Sequence, residues 1–184
     1  NLLDLNRLEE ARIAADRARA LGVNGEGLTA FYNIQGAVNF KHNRYEKAKE
    51  NFDKALSLDP DNFNVYNNLG LMSLETGEAA DAIWYFEKAL NLCPAFFEAT
   101  SNMGIALQQA GQLDKALESH KEAVKLNPDS FEAHNALGSA LRATGDIDEA
   151  IKSYRRAIEI KPNFAQAHNN LAASLKDKTD FYKI

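Results

Sequence analysis

Two histidines and one cysteine are the side chains in this sequence best suited to metal binding or nucleophilic chemistry. His134 and His168 lie 34 residues apart, and two imidazoles supply half of the four ligands that a structural zinc site takes. No Cys or Asp in a suitable place completes the set, so we interpret both as packing residues. Cys93 has no nearby His or basic cluster to activate its thiol, and as the single cysteine it cannot form an internal disulfide.

Two short segments have the composition of ligand loops but lack the residues that bind the ligand. Residues 22–27, Gly-Val-Asn-Gly-Glu-Gly, lack the Gly-Lys-Ser/Thr ending of a phosphate-binding loop. Residues 59–62, Asp-Pro-Asp-Asn, lack the Gly and the terminal Glu of a calcium loop and are typical of a turn and helix cap. Paired carboxylates and nucleophile–base sets do not stand out either. The sequence predicts no catalytic residue, no metal site and no cofactor, so we do not expect an enzyme.

Composition narrows the possible partners. Of the 184 residues, 45% are apolar and 26% charged, which is normal for a folded protein in water. The formal charge is −5 with both signs interspersed, so the sequence shows no positive stripe for a nucleic acid. No apolar run reaches the roughly 18 to 20 residues that cross a bilayer, so we expect no membrane insertion. The single cysteine favours a reducing compartment such as the cytoplasm.

A repeat of 34 residues organises the chain. It is set by four evenly spaced prolines, Pro60, Pro94, Pro128 and Pro162. The same interval separates the glycines and two series of alanines: Gly36, Gly70, Gly104 and Gly138; Ala48, Ala82, Ala116 and Ala150; Ala55, Ala89, Ala123 and Ala157. A period of this length is the signature of a solenoid built from one repeated unit.

Each repeat reads as two amphipathic helices joined by a short turn. Apolar residues recur at helical spacing in both halves, and Gly77, Gly111 and Gly145 lie between the halves. Glycine can take the left-handed conformation that ends a helix, and Asn43 stands in for it once. The proline ends the second helix, and residues such as Asn62 and Ser130 offer caps for the next.

The small residues predict how the two helices pack. Each glycine of the first helix is expected to face the alanine twelve residues later, as Gly70 faces Ala82, so that the backbones approach closely. Larger residues are expected to fill the space between neighbouring hairpins: Tyr66, Phe86, His134 and Tyr154. One hairpin cannot bury its apolar face alone, so the repeats must stack.

These residues carry a family resemblance, which is fullest in 63–96 with Tyr66, Leu69, Gly70, Gly77, Ala82, Phe86, Ala89 and Pro94. The pattern resembles the tetratricopeptide repeat. The resemblance implies an all-α, right-handed superhelical solenoid of antiparallel helix pairs. It covers four complete repeats, 29–62, 63–96, 97–130 and 131–164.

Both ends depart from the repeat pattern. Residues 1–28 form a partial repeat whose segment 8–21 resembles a second helix, with Ala11, Ala15 and Ala18 in the small positions and a long loop at 22–27. Residues 165–184 resemble an incomplete repeat or capping helix. Because the sequence begins at Asn1, we expect it to be part of a longer protein.

In this family the first helices line the concave groove, and by register that groove is rich in asparagine. Asparagine is a mediocre helix former, while its amide can hold a peptide backbone, so a groove role is expected. The alternative is that some of these side chains cap turns or bond to neighbouring helices. The predicted partner-binding residues are Asn33, Asn67, Asn68, Leu71, Asn102, Ile105, Asn135, Asn169 and Asn170.

The asparagines resemble those lining the groove in the repeat arm of O-linked N-acetylglucosamine transferases, although Ile34 and Ala136 interrupt the ladder. The Lys and Arg with which chaperone-binding members grip a carboxylate are missing, and Glu98 and Glu132 occur instead. On the outer face, Trp84 replaces charged residues of the other repeats. It is either the anchor of a protein interface or packs sideways against a neighbouring helix.

The sequence therefore predicts a scaffold or adaptor that binds a peptide segment or helix of another protein. Two alternatives stay open. The chain could be the substrate-docking arm of a larger enzyme, for example a glycosyltransferase. It could also be a structural scaffold that self-assembles into a homo-oligomer through Trp84 or its unpaired terminal helix.

Overall fold

A computed structural model of the chain describes Ile13 and residues 25–181, and every described residue of regular structure is helical. The nine helices of residues 25–181 are α1 Gly25–Lys41, α2 Tyr45–Leu58, α3 Phe63–Glu75, α4 Ala79–Leu92, α5 Phe97–Gln109, α6 Leu113–Leu126, α7 Phe131–Ala143, α8 Ile147–Ile160 and α9 Ala165–Phe181. Odd-numbered helices are the first helices of their repeats and even-numbered helices are the second. None of the nine is long and apolar enough to span a membrane. The predicted helix at 8–21 lies outside the described residues, apart from Ile13.

The turns within the helix pairs confirm the predicted left-handed caps. Gly77, Gly111 and Gly145 have φ angles of +82°, +73° and +90°. Asn43 takes the same conformation with φ 57°, as expected from an amide side chain that tolerates it.

The loops between repeats also follow the sequence. The second helices end two residues before each proline, at Leu58, Leu92, Leu126 and Ile160. Asn62 Oδ1 accepts a hydrogen bond from the Val65 N–H, and Ser130 Oγ accepts one from the Ala133 N–H, so both act as caps. One expectation was wrong: α1 begins at Gly25, so the second half of the glycine-rich segment 22–27 is helical rather than a loop.

The core of each helix pair is a ring of the second helix seated on a glycine of the first. A Cβ added to Gly70 would lie 2.6 Å from the Phe86 ring, and one added to Gly36 would lie 2.4 Å from the Phe52 ring. From the sequence we expected these glycines to face the alanines twelve residues later. In the structure, the side chains nearest to them are the rings sixteen residues later. Phe86 and Tyr154 therefore fill their own helix pairs, which corrects the expectation that they lie between hairpins.

The chain comprises two compact units, residues 1–94 and 95–184, and each has its own stacked helices. In the first unit, α3 packs on α2, and the shared core contains Phe52, Val65 and Leu69. In the second unit, α7 packs on α6, and α9 packs on α8. Its core cluster contains Leu141, Ala150 and Tyr154, with Leu137 and Leu171 against it. Stacking therefore buries the face that a single pair leaves open, which gives an all-α repeat solenoid.

Candidate functional site

The candidate binding surface lies on the first helices. In the first unit, Asn68 of α3 donates its Nδ2 hydrogen to Asn33 Oδ1 of α1 at 2.8 Å, and both side chains are half-buried. Leu71, one turn further along α3, is half-buried too. Asn67 is buried, with 8% of its surface exposed, so it is less accessible to a partner than its neighbour. The structure thus brings Asn33 and Asn68 together and places Asn67 at the edge of the core.

The second unit repeats this arrangement. Asn170 of α9 donates its Nδ2 hydrogen to Asn135 Oδ1 of α7 at 3.0 Å. Asn135 is 7% exposed, while Asn170 is half-buried and Asn169 is exposed. In both units the donor lies one residue later in its repeat than the acceptor, since 35 residues separate the partners. Asparagines thus form matched pairs between α1 and α3 and between α7 and α9, and the alternative that some bond to neighbouring helices holds for these four.

Such a pair keeps hydrogen-bonding capacity beyond the bond it makes. A side-chain amide has two N–H donors and an oxygen that can accept, and the observed bond uses one donor of Asn68 and one lone pair of Asn33. The bond also restricts the orientation of the two amide groups. The first pair, in which both side chains are half-buried, can thus present donors and an acceptor to a ligand, with less side-chain freedom left to lose on binding. In the second pair Asn135 is buried, so Asn170 is the accessible member.

Two open cavities adjoin the paired asparagines. One of about 600 Å³ lies beside Asn33 and is otherwise lined by Thr29, Ala30, Leu58, Asp59, Asn62 and Asn64. A second of about 350 Å³ lies beside Asn170 and is lined by Ser139, Arg142, Tyr154 and Asp177 among others. At its side, the Arg142 guanidinium contacts the Asp177 carboxylate at 2.8 Å. Both cavities are rich in neutral hydrogen-bonding groups.

Asn102 and Ile105 of α5 complete the predicted surface. Asn102 is half-buried, and Ile105 is 37% exposed, so an apolar side chain of useful size is accessible next to the amide. Glu98 and Glu132 are exposed, as the sequence suggested. The surface of the second unit is therefore amide-rich and apolar, with carboxylates nearby.

Comparisons with known proteins agree with this repeat architecture. Family models described as tetratricopeptide repeat match residues 63–96 and 101–165, and a TPR repeat model matches residues 36–77. The crystal structure of MamA protein is 26% identical and covers 83% of each chain with a TM-score of 0.74. The crystal structure of YrrB, described as a TPR protein with an unusual peptide-binding site, is 26% identical with a TM-score of 0.68. It covers 91% of this chain and 85% of its own. No curated protein matches the chain.

The chain contains tetratricopeptide repeats over residues 36–96 and 101–165. Its likeness to the two solved structures spans most of each chain, so the agreement is not confined to one repeat.

His134 and His168, which occupy the same position in successive repeats, each have a structural role. His134 Nε2 donates to the Pro128 carbonyl at 2.9 Å, and His168 Nε2 donates to the Pro162 carbonyl at 2.8 Å. Each ring therefore ties the first helix of a repeat to the loop before it, a contact that the sequence analysis did not predict. Among the described residues, no group of three or more His, Cys, Asp or Glu could hold a metal ion.

Trp84 packs sideways against a neighbouring helix, and its role as the anchor of a protein interface stays a prediction. Half of its surface is exposed, as the repeat register predicted. It also packs edge-on against Tyr66 of α3, with ring centroids 6.5 Å apart, and Lys88 Nζ lies 5.2 Å from the centre of its ring. Next to it, burial raises the pKa of the Tyr85 hydroxyl, and the negative charges of Asp53 and Asp81 add to that rise.

His120 is an important residue that was not predicted from the sequence. It takes the place of Phe52, Phe86 and Tyr154 in its repeat and is fully buried on Gly104. Burial lowers its pKa to about 4, because the positive imidazolium would lose its hydration. Its equivalence to three aromatic residues was visible in the sequence, but its depth and its neutral state required the packed structure.

Proposed function

We propose that this protein is an interaction scaffold whose first-helix surface binds an extended segment or a helix of another protein. Repeat arrays of this kind use the stacked surface for binding, and catalysis has no matching arrangement among the described residues. The observation that supports the proposal most is the pairing of Asn33 with Asn68 and of Asn135 with Asn170. YrrB, which is similar over 91% of this chain, is described as having a peptide-binding site.

The paired amides favour recognition of main chain rather than of particular side chains. Peptide groups offer one donor and one acceptor per residue, and the amides of Asn33 and Asn68 offer both types. Exposed Ile105 and half-buried Leu71 add apolar contacts that could select bulky partner residues. Exposed Glu98 and Glu132 disfavour an acidic partner. The expected ligand is thus a neutral or basic segment with apolar side chains.

The pairs also bear on the similarity to asparagine-lined grooves of glycosyltransferase repeat arms. Ile34 and Ala136 break the series, so we propose local main-chain grips rather than one unbroken ladder. The same surface would serve a docking arm of a larger enzyme if a catalytic domain were attached.

The test starts from peptides selected by display on the intact chain. Replacing Asn68, Asn102 and Asn170 together by alanine should weaken the selected peptides at least about tenfold, because several hydrogen bonds of about 0.5–1.5 kcal/mol are lost. Asn91→Ala, an exposed change on the second helix α4, is the matched control and should leave the affinity unchanged.

A second measurement separates main-chain from side-chain recognition. A peptide that carries an N-methyl group at one position loses one N–H donor, while its side chains stay unchanged. Methylation of at least one position should therefore weaken binding to the natural chain. The same position should matter less in the triple variant. Equal affinity of the natural chain and the triple variant would show that the asparagines do not contact the ligand.

A further inference from the structure

The cavity beside Asn33 lies where two smaller, polar residues take the place of aromatic rings. Thr29 of α1 stands where the later first helices carry phenylalanine, at Phe63, Phe97 and Phe131. Asn62, in the loop before α3, corresponds to Phe164 three repeats later. Smaller side chains leave space that the rings would fill, and here the space is a cavity of about 600 Å³.

In the second unit, the corresponding place is filled by the protein's own side chains. The rings of Phe131 and Phe164 pack edge-on with their centroids 4.8 Å apart. Lys161 Nζ lies 4.1 Å from the centre of the Phe131 ring and 5.7 Å from the centre of the Phe164 ring. This place therefore holds apolar groups with an ammonium group beside them, and a single basic side chain offers the same combination.

The charge at this place is reversed in the first unit, because Asp59 takes the position of Lys161. Asp59 is half-buried and is the one charged side chain among the described residues that line the cavity. Its Oδ2 accepts a hydrogen bond from Asn62 Nδ2 at 2.8 Å, and no cation of the described residues pairs with it. A half-buried carboxylate attracts a cation more strongly than an exposed one does, because less water screens it.

The neutral residues of the cavity suit the carbon stem of a basic side chain and its remaining N–H groups. Leu58 is 43% exposed and lines the cavity together with the exposed Ala30, so both offer apolar contacts to a stem. Lys and Arg carry only donors in their charged heads, and the side-chain oxygens of Asn33 and Asn64 can accept from them. An anion would instead lie next to the Asp59 carboxylate, which repels it. The cavity is therefore suited to a cation with an aliphatic stem.

We propose that this cavity binds a Lys or Arg side chain of the partner segment, with its charged head at Asp59 and its stem against Leu58. The inference rests on the proposed function, because the main chain of that segment would lie on the neighbouring pair of Asn33 and Asn68. The positions equivalent to Asp59 in the later repeats are Cys93, Asn127 and Lys161. None of these three is acidic, so the basic residue sets the register in which the segment binds.

The first test is a double-mutant cycle on peptides selected from a random linear display library on the intact chain. The selected peptides should share a Lys or Arg at one aligned position. Its replacement by Gln should weaken binding to the natural chain about tenfold, since a charge-assisted hydrogen bond is lost. The same replacement should cost less than about twofold on Asp59→Asn, which keeps the size of the side chain and its acceptor for Asn62. Titration calorimetry measures the affinities.

A nearby carboxylate provides the matched control. Asp61 is exposed and does not line the cavity. Asp61→Asn removes the same charge as Asp59→Asn, so a general attraction between the chain and a basic peptide would be weakened equally by both. The proposal expects Asp61→Asn to retain the tenfold preference for the basic residue.

The second test reverses the charge and then fills the cavity. Asp59→Lys introduces the residue type that Lys161 has at the equivalent position. It should bind a peptide with Glu at the aligned position about tenfold more tightly than the natural chain does. Thr29→Phe together with Asn62→Phe supplies the two rings of the second unit while Asp59 is retained. This filled variant should lose the preference for the basic residue, because the rings occupy the place of its stem.

The possible results separate this inference from the proposed function. If the natural chain selects no peptide that it binds better than the triple asparagine variant does, both fail. If such peptides share no basic residue, or if its replacement costs the same on the natural chain and on Asp59→Asn, this inference alone is overturned. It is also overturned if the filled variant unfolds as cooperatively as the natural chain and still requires the basic residue.

Discussion

Because His120 of α6 is buried, we expect the stability of the protein to depend on pH. One substitution should remove this dependence. His120 Nε2 is 3.0 Å from Gln108 Oε1, so in the neutral ring this nitrogen carries the hydrogen and donates it. Its Nδ1 is buried and has no hydrogen-bond partner among the described residues. A second proton would therefore create an N–H group with nothing to accept it, in a place without water. Burial accordingly lowers the pKa of His120 from its ordinary 6.5 to about 4.

The sign and the size of the effect follow from this shift. In the unfolded chain His120 takes up its proton near the ordinary pKa, while in the folded chain it stays neutral down to about pH 4. Between these values the unfolded state binds more protons, so the free energy of unfolding falls as the pH falls. At 1.36 kcal/mol for each unit, the shift corresponds to a loss of about 3 kcal/mol between pH 7 and pH 4.

The assay compares the natural chain with His120→Phe, which puts a ring on the glycine of the first helix as Phe52 and Phe86 do. Urea unfolding is followed by far-ultraviolet circular dichroism at several pH values between about 7 and 4, the window of the shift. Carboxylates that titrate there are common to both proteins and cancel in the difference. The natural chain should lose about 3 kcal/mol more than the variant. His42→Gln, a change at an exposed histidine, should retain the pH dependence of the natural chain.

A specific outcome would refute this reasoning. If the natural chain and His120→Phe lose the same free energy of unfolding between pH 7 and pH 4, then His120 takes up its proton equally in both states. The ring would then not be buried in solution in the way that the packing on Gly104 requires.

Three further predictions concern the packing and the turns. Gly70→Ala should lower the free energy of unfolding by about 1–3 kcal/mol, because the new methyl overlaps the fully buried Phe86 ring, and an unchanged melting curve would contradict this. Asn43→Gly should leave the stability unchanged or raise it by up to about 1 kcal/mol, since glycine takes a φ of 57° more easily; chemical unfolding measures it, and a loss would show that the amide contributes more than the backbone. Arg142→Ala should cost less than about 1 kcal/mol in the same assay, because both side chains of its pair with Asp177 are partly exposed to solvent; a larger loss would indicate a structural role.

Much of the fold is local and was therefore predictable from the sequence. Pro60 and its three equivalents cannot continue a helix, and Gly77 and Asn43 can end one, so the helix bounds follow from backbone chemistry that each residue carries by itself. The 34-residue period then requires that every helix pair be built alike. These features need no knowledge of distant contacts, and the structure agrees with them to within a few residues.

The sequence located the asparagines but could not show how they bond. Corresponding positions lie 34 residues apart, whereas Asn68 bonds to Asn33 and Asn170 to Asn135 across 35. This offset depends on how one first helix is rotated and shifted against the next, which results from the packing of whole helices. For the same reason Asn67 and Asn135 are buried although they belong to the predicted surface.

The sequence by itself therefore determined the repeat, the helices, the turns and the set of candidate binding residues, because these depend on residue type and spacing along the chain. Tertiary structure decided which atoms meet. It placed the Phe86 ring, rather than Ala82, nearest to Gly70, and it withdrew His120 from water. Both results depend on the close approach of two helices and the volume left between them, which no single segment encodes.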